Sequence, residues 1–154
     1  MSDDLRYEIK LVANEINFSV FNKWLHIETD FFKKYPDRQI NSLYFDDNNF
    51  SCVKDNLSGI AQRRKYRLRW YGRNDEELSD PVFEIKIKNG RLGFKKYFNV
   101  PELNNKLNNL KIRQIQEIAL LKNKNKKLFF DKDLNPSLIV SYKRNYFENN
   151  NDIR

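Results

Sequence analysis

The chain has 154 residues and a formal net charge of +8, from 29 basic and 21 acidic side chains. Apolar residues make up 40% of it, with 12 Phe, 8 Tyr and 2 Trp, enough to bury the core of one domain, so wholesale disorder is excluded. The single Cys52 excludes an internal disulfide, and no run approaches the ~20 apolar residues of a membrane span.

A positive surplus attracts anions, whether nucleic acid, acidic membrane surfaces or phosphorylated small molecules. Which of them it serves depends on where the cations sit. A lone thiol and the lack of an early apolar leader set the expectation of a cytoplasmic protein.

Residues 6–12 alternate charged and apolar side chains, the pattern of a half-buried strand with Arg6, Glu8 and Lys10 on one face. Over residues 18–32 the period changes. Phe18, Phe21, Trp24, Leu25, Phe31 and Phe32 fall near helical spacing, and Pro36 reads as the stop. Residues 41–46 predict a second strand, with Leu43 and Phe45 on one face and Ser42, Tyr44 and Asp46 on the other. Asp46, Asp47, Asn48 and Asn49 supply turn chemistry, and a short irregular or helical segment then runs to Leu57. Ser58 and Gly59 mark another turn.

Residues 63–71 predict the most informative strand. Lys65, Arg67 and Arg69 share one face, and Tyr66, Leu68 and Trp70 share the other. A polar, acidic loop over residues 72–81 follows. Residues 83–88 and 93–100 read as a hairpin around Asn89 and Gly90, with Glu84, Lys86 and Lys88 opposite Phe83, Ile85 and Ile87, and Lys95 on the return strand. Residues 101–121 show helical spacing, through Leu103, Leu107 and Leu110 and then Ile112, Ile115 and Ile118. A basic loop spans residues 122–127, and residues 138–147 form a last strand after Pro136, bearing Tyr142 and Arg144. No repeat or linker divides the chain, so residues 1–154 are expected to form a single domain.

The polar faces of these strands collect Arg6, Lys10, Lys65, Arg67, Arg69, Lys86, Lys88, Lys95 and Arg144 against only Glu8 and Glu84. One wet, charged face is ordinary in an antiparallel sheet. A face of nearly one sign is not, because like charges opposite each other on paired strands are destabilising. Such a face makes sense with an anion against it. Guanidinium forks grip phosphate oxygens in pairs while ammonium groups act as point charges, and the mixture suits phosphates. No Walker-type glycine loop, zinc-spaced Cys/His cluster or nucleophile–base arrangement is legible, and His26 reads as a surface residue of the first helix.

In this order, Arg6-x-Glu8-x-Lys10, Ser42-Leu43-Tyr44-Phe45-Asp46, Arg63-x-Lys65-x-Arg67-x-Arg69-x-Tyr71, Phe83-Glu84-Ile85-Lys86 with Lys95, and Tyr142-x-Arg144 resemble the VTC domain. That domain is a polyphosphate-polymerase branch of the triphosphate tunnel (CYTH-like) superfamily. Arg6 stands where the phosphatase and cyclase branch usually carries a glutamate, which favours the VTC branch. The resemblance implies an α+β fold, an antiparallel β tunnel or barrel with helices packed outside. It also implies synthesis of polyphosphate from the terminal phosphate of ATP with Mn2+ or Mg2+. Carried over by position, Lys10, Arg67 and Arg69 would be catalytic. Arg6, Lys65, Lys86, Lys88, Lys95, Arg144 and Arg154 would bind phosphates, and Glu8 and Glu84 would be metal-side carboxylates.

Two departures stand out. Tyr97 occupies a position where the family commonly has an arginine, and Arg154 is the last residue, where the family pattern continues into strands bearing a glutamate metal ligand and further lysines. The expectation is a chain truncated at its C-terminus, or one that completes its barrel as a homodimer. The expected partners are ATP and polyphosphate or another triphosphate, with nucleic acid not favoured. The alternatives are a catalytically inactive polyphosphate-binding module, a triphosphatase, and an RNA-binding protein that stacks bases on Tyr66, Trp70 or Tyr71. Against the last, Tyr66 and Trp70 alternate away from the arginines.

Overall fold

The computed structural model describes residues 12–72, 78–103, 114–115, 117 and 133–149, the side chain of Lys34 excepted. In chain order these form α1 (Phe18–Ile27), β1 (Phe32–Asp46), α2 (Ser51–Leu57), β2 (Gln62–Tyr71), β3 (Val82–Asn89), β4 (Leu92–Asn99) and β5 (Asn135–Glu148). Short 3-10 turns occupy Glu15–Asn17 and Pro101–Leu103. The strands make one sheet in the order β4-β3-β2-β1-β5.

The β1/β2, β2/β3 and β3/β4 pairs are antiparallel. Ser137 Oγ donates to the Tyr44 carbonyl at 3.1 Å and Ser141 Oγ donates to Asn41 Oδ1 at 2.6 Å. Partner numbers fall along β5 as they rise along β1, so this pair is antiparallel as well. The fold is α+β, a curled antiparallel sheet with helices, and it is consistent with a tunnel-type architecture. Contacts divide the described residues into two compact units, the larger from residues 39–142 and the smaller from residues 12–38 and 143–149.

The core of the larger unit is the apolar face of its sheet. Leu43 and Phe45 of β1, Tyr66, Leu68 and Trp70 of β2, and Phe83 and Ile85 of β3 are buried together with Cys52, Leu78, Val100, Leu103, Ile115 and Leu134. Ile87 and Phe98 pack against this cluster. Fully burying a large apolar side chain contributes about 1.5–3 kcal/mol, so this face holds the unit together and fixes which face is left for the cations.

Two aspartates start α2. Asp46 accepts the Cys52 and Val53 N–H groups at 2.9 and 3.0 Å, and Asp47 accepts those of Asn49 and Ser51, both at 3.0 Å. The bonds to Ser51, Cys52 and Val53 satisfy amides that the first helical turn leaves without partners. The hairpin turn is Gly90 and Arg91, since Asn89 pairs with Leu92. Gly90 has φ +59°, a positive value at the first central position, which is the II′ pattern that glycine favours.

The first helix is shorter than its apolar spacing suggests. It ends at Ile27, where Thr29 Oγ1 donates to the Leu25 carbonyl and accepts the Phe31 N–H at 3.3 Å. Phe32 then opens β1, and Pro36 lies inside that strand instead of ending a helix. Proline lacks a ladder donor, but the register of β1 with β2 runs only from Ile40 to Phe45, so Pro36 falls outside it. Of the helix expected over residues 101–121, the described part is the 3-10 turn and helical Gln114, Ile115 and Glu117. The strand expected over residues 6–12 and the basic loop over 122–127 lie outside the described residues, apart from Val12.

Candidate anion-binding face

The register turns the alternating cations into rungs. Lys65 of β2 is the partner of Lys86 of β3, and Lys86 is in turn the partner of Lys95 of β4. Three lysines therefore stand directly opposite one another on three adjacent strands. Arg63 pairs with Lys88 in the same way. Side chains paired across antiparallel strands lie ≈ 4.5–5.5 Å apart at Cβ, a spacing at which like charges destabilise the sheet.

The next rung has a different chemistry. Tyr44, Arg67, Glu84 and Tyr97 are successive partners across β1, β2, β3 and β4. Arg67 Nε donates to Glu84 Oε2 at 2.6 Å, its Nη2 pairs with the same oxygen, and its Nη1 donates to the Tyr44 hydroxyl at 3.2 Å. Arg69 Nη1 reaches the other oxygen, Oε1, at 3.2 Å. The three side chains are largely buried, at 16% exposed for Arg67, 13% for Arg69 and 5% for Glu84, so water screens these contacts weakly.

Two titrations are displaced. Burial alone would lower Arg67, but the Glu84 charge and the Tyr44 hydroxyl more than offset it and raise its pKa above the ordinary value. Lys95 moves the other way. Burial pushes it below the ordinary lysine value against the attraction of Glu84, and the charges of Arg67, Lys86 and Arg69 add to the lowering. Lys95 is a cation already crowded by cations.

Of the residues singled out in the sequence, Lys65, Arg67, Arg69, Glu84, Lys86, Lys88 and Lys95 are brought together on the face opposite the core. Arg144 belongs to the smaller unit, where its guanidinium lies over the Tyr146 ring at 5.3 Å from the centroid. Arg6, Glu8, Lys10 and Arg154 lie outside the described residues. Tyr44 is a site residue that the sequence reading placed on this face without assigning it a role. Its phenol and its ring, 6.0 Å from the Arg67 guanidinium carbon, both hold that side chain.

An Mn2+ or Mg2+ ion, as the resemblance implies, calls for oxygen donors on this face. Glu84 is the one carboxylate among the rungs, and both its oxygens are engaged by guanidinium groups. Asp46, at the end of β1, is committed to the amides of α2. Among the described residues no group of three or more His, Cys, Asp or Glu side chains could hold a metal ion, so they do not fit a metal centre by themselves.

Among the described residues no helix is long and apolar enough to cross a membrane. No curated protein matches the chain. A family model described as the VTC domain matches residues 5–154, nearly the whole sequence. The chain belongs to the VTC domain family, whose function is related to polyphosphate.

Proposed function

We propose that the rungs of β2, β3 and β4 hold the phosphates of ATP and of a polyphosphate chain, and that the domain acts as a polyphosphate polymerase. The observation that carries this reading is the Lys65–Lys86–Lys95 rung. Three directly opposed ammonium groups repel one another, and an anion lying along the rung relieves that repulsion. A linear phosphate chain carries acceptor oxygens at every phosphorus and can run along such a rung.

Each group has a role in this reading. The lysines neutralise charge along the chain, and Arg67 and Arg69, oriented by Glu84, present guanidinium donors to the phosphoryl group in transfer. Phosphoryl transfer needs positioning and charge neutralisation more than covalent chemistry, which suits a site rich in cations. A divalent cation, Mn2+ or Mg2+, would supply further neutralisation of the phosphate oxygens. The family resemblance is the separate ground for proposing Arg6, Lys10, Arg144 and Arg154 as phosphate-binding residues and Glu8 as a carboxylate on the metal side.

The test is incubation of the purified chain with ATP and Mn2+, with polyphosphate and ADP as the measured products. Formation of both supports the polymerase. Tripolyphosphate binding without turnover would leave the face as a binding module, and absence of binding would refute the assignment of the face.

A further inference from the structure

Two polar atoms on this face are buried and have no hydrogen-bond partner among the described residues, Ser42 Oγ and Arg69 Nε. The two residues are Cα partners across β1 and β2, so they share one face, next to the rung of Tyr44, Arg67 and Glu84. Ser42 is only 1% exposed. Buried polar side chains nearly always find a partner, and an exception in a native fold calls for a missing water, ion or ligand. Here two exceptions are neighbours.

Their chemistry defines what is missing. Arg Nε only donates, and a serine hydroxyl donates one hydrogen bond. One acceptor oxygen between them would satisfy both. Arg69 Nη1 is already anchored on Glu84 Oε1 at 3.2 Å, so the guanidinium is oriented before any ligand arrives. A cation is excluded by the donor character of Arg69, and the remaining acceptors are an anionic oxygen and water.

We propose that Ser42 Oγ and Arg69 Nε form a subsite for one phosphoryl oxygen of the linear phosphate bound on the lysine rung. This rests on the phosphate-binding reading of the face and adds Ser42 to it as a neutral, buried ligand contact. The hydroxyl adds direction without charge. It selects a phosphoryl oxygen at a fixed place along the sheet, whereas the lysines attract anions of many shapes.

Ser42→Ala separates this subsite from a mere buried water. The test is calorimetric titration of tripolyphosphate into the wild-type chain, Ser42→Ala, Arg69→Lys, the double variant and Lys86→Ala, with thermal unfolding of each protein without ligand. Ser42→Ala is expected to bind about tenfold more weakly, the scale of one hydrogen bond to a charged partner. Its salt dependence should match the wild type because no cation is lost, and its unliganded unfolding midpoint should not fall. In the double variant the two losses should combine to less than their sum, as expected when both residues hold one oxygen. Wild-type affinity in Ser42→Ala beside a weakened Lys86→Ala would overturn the subsite and leave the phosphate-binding face standing. A lowered unliganded midpoint in Ser42→Ala would overturn it too, by showing that the hydroxyl is already partnered. No binding by the wild type would remove both.

Discussion

Arg67 and Glu84 are partners across β2 and β3, joined by a 2.6 Å hydrogen bond from Arg67 Nε to Glu84 Oε2, and the same carboxylate holds Arg69 through its other oxygen. One buried anion thus keeps two guanidinium groups in place on a face rich in cations. Glu84→Gln preserves the shape and removes the charge. The two arginines are then left largely buried without a counter-charge, which costs about 3–5 kcal/mol for a buried pair broken on one side. Denaturant unfolding of the unliganded protein is expected to show this loss. Added tripolyphosphate supplies negative charge to the same guanidinium groups, so the gap to the wild type should narrow as ligand is raised. A gap that stays constant would mean that the ligand binds elsewhere.

Lys86 is the centre of the lysine rung, with Lys65 on one side and Lys95 on the other. Lys86→Met keeps much of the aliphatic length and removes the middle charge. Removing the middle charge relieves two like-charge oppositions, and that relief should shrink as salt is raised. Tripolyphosphate affinity should fall, and so should its salt dependence, since one fewer cation neutralises the ligand. Thermal unfolding and calorimetric titration at two salt concentrations measure both effects. A destabilised Lys86→Met with unchanged affinity would contradict the site.

Strict alternation made β2 and β3 legible in the sequence. Lys65, Arg67 and Arg69 on one side and Tyr66, Leu68 and Trp70 on the other are the arrangement that the pairing and burial show. Alternation does not say which residue faces which on the next strand. That depends on the two-residue turn at Gly90 and Arg91 and on the β1/β2 register, so the lysine rung emerges only from the pairing. The helix boundary misled for a related reason. Phe31 and Phe32 continue an apolar spacing that fits a helix, while the Thr29 hydroxyl that ends α1 leaves no periodic trace. Period two places Ser42 and Tyr44 on the polar face, but their partners sit on β2, beyond the reach of any local window. Tyr97 faces Glu84, so the arginine common at this family position would stand opposite the one carboxylate of the rungs.

Asp46 shares the period of Ser42 and Tyr44 but serves the fold. Its two oxygens accept the Cys52 and Val53 amides, and the residue is 2% exposed. Asp46→Ala leaves both amides without acceptors and should cost about 1–2 kcal/mol, the usual loss for a helix cap. Asp46→Asn keeps one carbonyl acceptor and should lose less. Urea unfolding orders the three proteins, and tripolyphosphate affinity measured where all are folded should stay close to the wild type. A large loss of affinity in Asp46→Asn would move this residue into the binding face.

Lys95 links the site to pH. Burial pushes its pKa below the ordinary 10.5, and Arg67, Lys86 and Arg69 push it further against Glu84. The unfolded chain therefore holds this proton more tightly than the folded one. Between the lowered value and 10.5 the unfolded state binds more protons, so this residue makes stability rise with pH across that window. A phosphate chain bound on the rung acts in the opposite sense. It favours the ammonium form and raises the pKa again, so binding within the window takes up a proton, and tripolyphosphate affinity falls as pH rises through it. Calorimetric titrations in two buffers of different ionisation enthalpy read the proton uptake directly. Lys95→Gln removes the titrating group and should show less uptake, a flatter affinity profile and a shallower rise of stability with pH. Equal uptake in the two proteins would assign the titration to another group and separate Lys95 from the bound phosphates.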